Sequence, residues 1–168
     1  MKKENKTALM KATDLLANQE QSSTLLKKKL LARKYNAQEV DEAIDKLKKF
    51  NYLNDEETCR RQFENFYSEE KLSVNKIFLK MIQRGFDGDF VKSLIPENFE
   101  ERELRVAKKI LAKKFSSIDD EIDSQEKIKL KKKIWQSLGY AGFSGEIIGT
   151  AVEDFFQENF QKSLECGI

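Results

Sequence analysis

Apolar residues recur along the chain at helical spacing, and the same arrangement occurs three times. Each copy surrounds an aromatic ring, at Tyr35, Phe86 or Phe143. Apolar side chains stand nine and five residues before each ring and five and nine residues after it: Leu26, Leu30, Val40 and Ile44; then Ile77, Met81, Val91 and Ile95; then Ile134, Leu138, Ile148 and Val152. Apolar residues four apart on both sides of a short break predict two amphipathic helices joined by a tight turn, with the ring in the core.

The residues around each ring are typical of a helix–turn–helix connection. Gly85 and Gly142 directly precede two of the rings, where the first helix must end and the backbone can need a positive φ. Asn36, Asp87 and Ser144 directly follow the three rings. Short polar side chains at this position are expected to cap the next helix.

A further amphipathic helix opens each copy of the pattern. Apolar periodicity predicts these helices at Thr7–Asn18, Asp55–Tyr67 and Glu101–Phe115. A segment rich in phenylalanine, Glu153–Leu164, is expected to close the last copy, and the polar stretch Ser116–Ser124 reads as a loop.

Together these helices predict an all-α fold made of three tandem three-helix repeats. The repeats are expected over residues 1–53, 54–100 and 101–168. A unit of this size buries little surface alone, so neighbouring repeats are expected to stack into an elongated, curved solenoid-like array. A single proline among 168 residues agrees with a helical chain with few loops.

The composition argues against catalysis. The chain has no histidine, so it contains no Ser-His-Asp triad, no Cys–His pair and no histidine metal site. It also lacks the glycine-rich motifs that bind nucleotide phosphates. We therefore expect a non-enzymatic protein without a cofactor or a metal.

The two cysteines and the short apolar runs indicate in which cellular compartment the protein is expected. Cys59 and Cys166 are too few for a disulfide framework, and Cys59 is expected to be a buried core residue. No apolar run approaches the roughly 20 residues that span a bilayer. The sequence thus favours a soluble protein of the reducing cytoplasm.

Basic residues recur at helical spacing beside the core positions of each repeat. The net charge is only +2, but Lys76, Lys80 and Arg84 stand four apart and predict a basic stripe. The candidate partner- or DNA-binding residues are Lys27, Lys28, Lys29, Arg33, Arg60, Arg61, Lys76, Lys80, Arg84, Lys131, Lys132 and Lys133. Ordinary solvated helix faces are the alternative interpretation. Trp135 could stack on a base, although packing beside Ile134 is the favoured interpretation.

Three segments, in order, resemble motifs of the RecX regulatory proteins. Phe50–Asp55, followed by Cys59 and Phe63, is similar to the family's "GYLDD…YA…F" signature. Met81–Phe86 and Leu138–Phe143 are similar to its "L…(K/R)G(F/V/I)" turns. The resemblance covers about residues 8–160.

The chain also departs from the family pattern. Asn51, Ser73 and Lys34 stand where the family usually has glycine, and Asn54 stands where it usually has aspartate. The apolar spacing is unaffected, so the departures bear on the binding surface rather than on the fold.

The resemblance implies a modulator of the RecA recombinase. RecX-like proteins are built from three-helix repeats and bind the RecA–DNA filament, where they restrain strand exchange, ATP hydrolysis and co-protease activity. This chain would then act as a monomer in homologous recombination, DNA repair and the SOS response. Two other functions stay open from the residues: a stand-alone helical DNA-binding protein, and a repeat scaffold for another protein.

Overall fold

The computed structural model describes residues 6–116 and 122–160, and every regular element within these ranges is helical. The helices are α1 (Ala8–Asn18), α2 (Ser23–Leu31), α3 (Ala37–Lys49), α4 (Asp55–Ser68), α5 (Val74–Gln83), α6 (Gly88–Ser93), α7 (Glu100–Lys114), α8 (Ser124–Tyr140) and α9 (Gly145–Phe160). The predicted all-α fold is confirmed. The three predicted opening helices correspond to α1, α4 and α7, with ends that agree to within about one residue.

The chain forms two compact units. The N-terminal unit comprises residues 1–65 and 78–94, and the C-terminal unit comprises residues 66–77 and 95–168, within the described ranges. Two of the three boundaries between the units fall inside α4 and α5, and the third follows α6. The division into three repeats therefore stays a prediction, although three helices fall within each predicted range.

The core of the N-terminal unit is built by α1, α2 and α3, which all contact one another. α3 presents its apolar residues at i, i+3, i+4 and i+7, so that all four lie on one buried face. The buried residues of this cluster are Ala8, Ala12, Leu26, Leu30, Val40, Ala43, Ile44, Leu47 and Leu53.

The core of the C-terminal unit lies between α7, α8 and α9, and α9 contacts both of the others. Its buried residues are Val106, Ala107, Leu111, Ile134, Leu138, Phe143, Ile148, Ala151, Val152 and Phe155. α9 continues without a break through Glu153, so the predicted closing segment is the second half of this helix as far as Phe160. Leu164, the predicted end of that segment, lies outside the described residues.

The turns follow the predicted chemistry. Gly85 and Gly142 have φ values of 82° and 86°, which confirms the positive φ expected there. Asn36, Asp87 and Ser144 each accept a hydrogen bond from a backbone N–H in the first turn of the following helix. These three predicted caps are confirmed.

Two residues that stand where the RecX pattern usually has glycine adopt the left-handed conformation, as Gly85 and Gly142 do. Lys34 has a φ of 65° and Asn51 a φ of 61°. An asparagine tolerates this region better than most residues, whereas a lysine is strained there.

Two predicted core positions of the repeated pattern differ in the structure. Tyr35 packs against the core cluster of the N-terminal unit but is only half-buried. Ile95 is only half-buried, because α6 ends at Ser93 and does not reach it. Pro96 follows directly, and the residue before a proline is disfavoured in the helical region.

Candidate interaction surface

The N-termini of the basic helices α2 and α5 are held by equivalent contacts. Ser22 caps α2, and its Oγ also donates a hydrogen bond of 2.6 Å to the carbonyl of Arg84. Ser73 caps α5, and its Oγ donates an equally short bond to the carbonyl of Ala141. Each contact lies within one compact unit. We call these two arrangements the joints, because each connects a helix start to a turn more than 60 residues away in sequence.

A glycine and a carboxylate complete each joint. A Cβ at Gly85 would lie 2.8 Å from Ser22 Oγ, and one at Gly142 would lie 3.0 Å from Ser73 Oγ. The Asp55 carboxylate accepts the N–H of Ser23 at 2.7 Å, and the Glu103 carboxylate accepts the N–H of Val74 at 2.9 Å. Carboxylates at a helix N-terminus bind otherwise unpaired N–H groups and complement the helix dipole.

The predicted basic residues of α2 lie near its C-terminal end. Lys27 pairs with Asp41 at 2.5 Å, and Lys28 is exposed. Arg33 follows the helix and donates from Nη1 to the carbonyl of Lys29 at 2.7 Å. Cations at this end complement the helix dipole, so part of this basic cluster also stabilises α2.

Arg33 also lines a groove of about 1100 Å³ in the N-terminal unit. The charged lining residues are Lys6, Lys11, Arg33, Lys34, Lys46, Glu39 and Glu42. Half-buried Tyr35 lies among them. Five cations against two carboxylates make the groove attractive to anions. Sequence reasoning missed it because its cations come from separate helices and turns.

The two arginines of α4 interact within their own unit. The Arg60 guanidinium lies 5.7 Å from the centre of the Phe90 ring. Arg61 donates two hydrogen bonds to the Glu20 carboxylate, at 3.1 and 2.8 Å, and its Nη1 lies 3.6 Å from Glu57. A partner would have to compete with these contacts for Arg61.

The predicted stripe on α5 contains residues in different settings. Lys76 is exposed and Lys80 is half-buried. Arg84 lies beyond the end of α5, and its Nη1 donates to Gln62 Oε1. Burial lowers the pKa of the Arg84 guanidinium. Arg84 therefore has a structural role in the first joint, through both its side chain and its carbonyl.

The predicted basic residues of α8 stand two to four residues before an exposed tryptophan. Lys132 and Lys133 are exposed, and Lys131 Nζ lies 5.1 Å from the centre of the Phe156 ring. Trp135 is 45% exposed, whereas Ile134 is fully buried. Trp135 therefore does not share the buried core position of Ile134, because consecutive helical residues point about 100° apart.

Two buried charges were not predicted. Arg102 and Glu103, at 3% and 4% exposure, form an ion pair of 3.1 Å. Arg102 also donates to the carbonyls of Tyr67 and Leu72. Burial raises the pKa of Glu103. Sequence pattern marks both residues as polar, and only the approach of the α4–α5 connection explains their burial.

Cys59 is buried as predicted, and burial raises the pKa of its thiol to about 11. The thiol therefore stays protonated and unreactive at neutral pH. Cys166 lies outside the described residues.

The fold and the surface together define an all-helical protein whose basic helices are positioned by joints between distant segments. None of the helices in the described part of the chain has the length and apolar character that a bilayer crossing needs.

Sequence comparison relates the chain to curated bacterial proteins named Regulatory protein RecX. The relative from Neisseria gonorrhoeae strain NCCP11945 is 26% identical over 163 residues, which cover 96% of this chain and 99% of that protein. The relative from Caldanaerobacter subterraneus is 27% identical over 154 residues, or 89% of this chain and 71% of that protein. No family model matches the chain.

Solved structures agree with these relatives in fold. The crystal structure of RecX from Lactobacillus salivarius has a TM-score of 0.68 at 20% identity, covering 88% of this chain and 93% of that one. A second RecX crystal structure has a TM-score of 0.70 at 18% identity, covering 88% and 70%. The resemblance predicted from the motifs is confirmed. Relatives named as regulatory proteins support a regulatory role.

Proposed function

We propose that this protein is a non-enzymatic regulator that binds the RecA recombinase filament on DNA and restrains its ATP hydrolysis, strand exchange and co-protease activity. The observation that carries the proposal is the similarity to Regulatory protein RecX over nearly the whole of both chains. We further propose that it acts as a cytoplasmic monomer without a cofactor.

The basic helices supply the proposed contact surface. A RecA filament on DNA presents phosphates and protein carboxylates, and Lys28, Lys76, Lys132 and Lys133 are exposed cations on three helices of this chain. Exposed cations contribute to both affinity and association rate when the partner is anionic. Arg61 and Arg84 are less suited to this role because each already has an internal partner.

The test is to add the purified protein to preformed RecA filaments on single-stranded DNA with ATP. We expect substoichiometric to equimolar amounts to slow ATP hydrolysis and strand exchange. Unchanged rates across that range would reject the proposal. A mixture without DNA separates an effect on the filament from an effect on free RecA.

Variants then separate the surface from the fold. We expect Lys76→Ala to weaken the slowing of ATP hydrolysis without changing the melting temperature. Lys71→Ala is the matched control, because Lys71 is exposed in the same unit and lies outside the predicted set. Equal effects of the two variants would show that the slowing depends on the net charge of the protein and not on the position of Lys76.

A further inference from the structure

The outer face of α8 combines an exposed aromatic ring with exposed cations. Ile128 is 56% exposed and Trp135 is 45% exposed, and they stand seven residues apart on one side of the helix. Lys131 and Lys132 stand four and three residues before Trp135, so they lie on the same side. All four residues belong to the C-terminal unit.

This helix carries far more positive than negative charge. α8 carries five lysines, at positions 127, 129, 131, 132 and 133, against one carboxylate, Glu126. The carboxylate belongs to the capping box with Asp123 at the helix start. Lys114 of α7 adds a further cation near the other end, where its Nζ donates to Ser137 Oγ at 2.8 Å. Such a field attracts a polyanion.

One turn after Trp135, the same side of α8 carries no side chain. Gly139 lies one turn after Trp135 on the same side of α8, and a Cβ at this glycine would meet no heavy atom within 4 Å. On the other flank, Lys131 lies against the Phe156 ring, which limits the positions of its ammonium group. Gly139 therefore adds no side chain that would shield the exposed part of the indole from a flat ligand.

From this geometry we propose that Trp135 is a stacking platform for an unpaired base of single-stranded nucleic acid, with Lys131 and Lys132 binding the neighbouring phosphates. Aromatic rings between cations are the usual means of binding single strands without sequence preference. A duplex keeps its bases stacked inside, so it offers phosphates but no base to the indole. This site goes beyond the proposed function, because it requires no recombinase.

The chain offers a direct probe, since Trp135 is its single tryptophan. A base stacked on the indole quenches its fluorescence, so titration with an oligo-dT strand reports on this site alone. We expect saturable quenching that weakens steeply with salt. A duplex of equal length and inorganic polyphosphate are the controls, and both should quench much less. No quenching by oligo-dT, or equal quenching by the controls, would overturn the proposal.

Variants measured by anisotropy of labelled oligo-dT identify the ring. We expect Trp135→Ala to weaken binding about tenfold or more, and Trp135→Phe to keep most of the affinity. Tyr140→Ala is the matched control, because Tyr140 is a more exposed aromatic on the same helix, about 140° around its axis from Trp135. Equal losses for Trp135→Ala and Tyr140→Ala would overturn the assignment.

The outcome is distinguishable from failure of the proposed function. If Trp135→Ala binds oligo-dT normally but no longer slows RecA, this face contacts protein and the nucleic-acid proposal is rejected. If oligo-dT binding needs Trp135 while RecA activity is unaffected by the wild-type protein, the site stands and the regulatory proposal fails. Circular dichroism and melting of each variant show that the fold is intact.

Discussion

Phenylalanines with similar sequence neighbours have opposite environments in this protein. Phe86 follows a turn glycine and is 6% exposed, whereas Phe50 follows the last residue of α3 and is 69% exposed. Both come directly after a helix or its turn, so the neighbouring residues alone do not show which of the two rings is buried. The nine-residue apolar spacing around Phe86, absent around Phe50, is what identified the buried ring.

We expect Phe86→Ala to lower the free energy of unfolding by about 3–5 kcal/mol, because it leaves a cavity where a buried ring was. Phe50→Ala is the matched control and should change stability by only about 0.5 kcal/mol, since its ring is already in solvent. Urea unfolding followed by circular dichroism measures both. Similar values for the two variants would contradict the burial of Phe86.

Gly85 is required by both its backbone and its surroundings. Gly85 has a φ of 82°, which strains an alanine at this position. A Cβ there would also lie 3.2 Å from the backbone N atom of Leu25, which is too close for an ordinary contact. We expect Gly85→Ala to destabilise the protein by at least about 1–2 kcal/mol. Gly149→Ala, inside α9 with open space around it, should instead stabilise by about 0.5–1 kcal/mol. Thermal melts of the two variants should shift in opposite directions.

At the scale of elements, the two joints use one plan with different residues. A serine caps the basic helix and donates to a turn carbonyl, a carboxylate from a later helix accepts an N–H of the first turn, and a glycine permits close approach. Ser73, a departure from the family's usual glycine, therefore has an identified role as the cap of α5.

The sequence could predict features that depend on neighbouring residues, but not contacts between residues that are distant along the chain. Apolar spacing and turn residues predicted the helices, the positive φ of Gly85 and the cap at Asp87 because these depend on neighbouring residues. The burial of Glu103 and the internal contacts of Arg84 depend on segments 20 or more residues away. No periodicity in a single sequence contains that information.

Two glutamates near the second joint should respond to pH in opposite directions. Burial raises the pKa of Glu103, so at a pH between the unfolded and the folded value the folded chain binds more protons than the unfolded chain. Its contribution to stability is present below the unfolded pKa of about 4.3 and is lost as the pH rises through the folded value. Hydrogen bonds from Lys109 and Arg105 lower the pKa of Glu70, whose contribution is present above about pH 4.3 and is lost as the pH falls.

The measurement is the stability difference between the wild type and each of Glu103→Gln and Glu70→Gln, from about pH 3 to 7. We expect the Glu103 difference to decrease with rising pH and the Glu70 difference to increase. Slopes of the same sign would show that the surroundings of one carboxylate are misassigned.

At the scale of the whole molecule, the predicted basic residues belong to both compact units. Lys28 and Lys29 lie in the N-terminal unit, and Lys132 and Lys133 lie in the C-terminal unit. The net charge of +2 therefore conceals basic helices in each unit, offset by carboxylates elsewhere. Whether one unit or both bind the proposed filament can be decided by asking whether the losses of binding free energy from variants in the two units add.

A double-mutant cycle between the units answers that question. We expect Lys28→Ala with Lys29→Ala, and Lys132→Ala with Lys133→Ala, each to weaken filament binding by roughly 1 kcal/mol. Each variant removes two lysines, and a surface ion pair contributes about 0.2–1 kcal/mol. If both units bind one filament through independent contacts, the quadruple variant should lose the sum of the two values, to within about 0.5 kcal/mol. Sedimentation with RecA filaments at two salt concentrations measures the affinities, and Lys71→Ala is the charge control. A pair whose removal has no effect would assign filament binding to the other unit, because a contact that contributes binding energy cannot be deleted without loss.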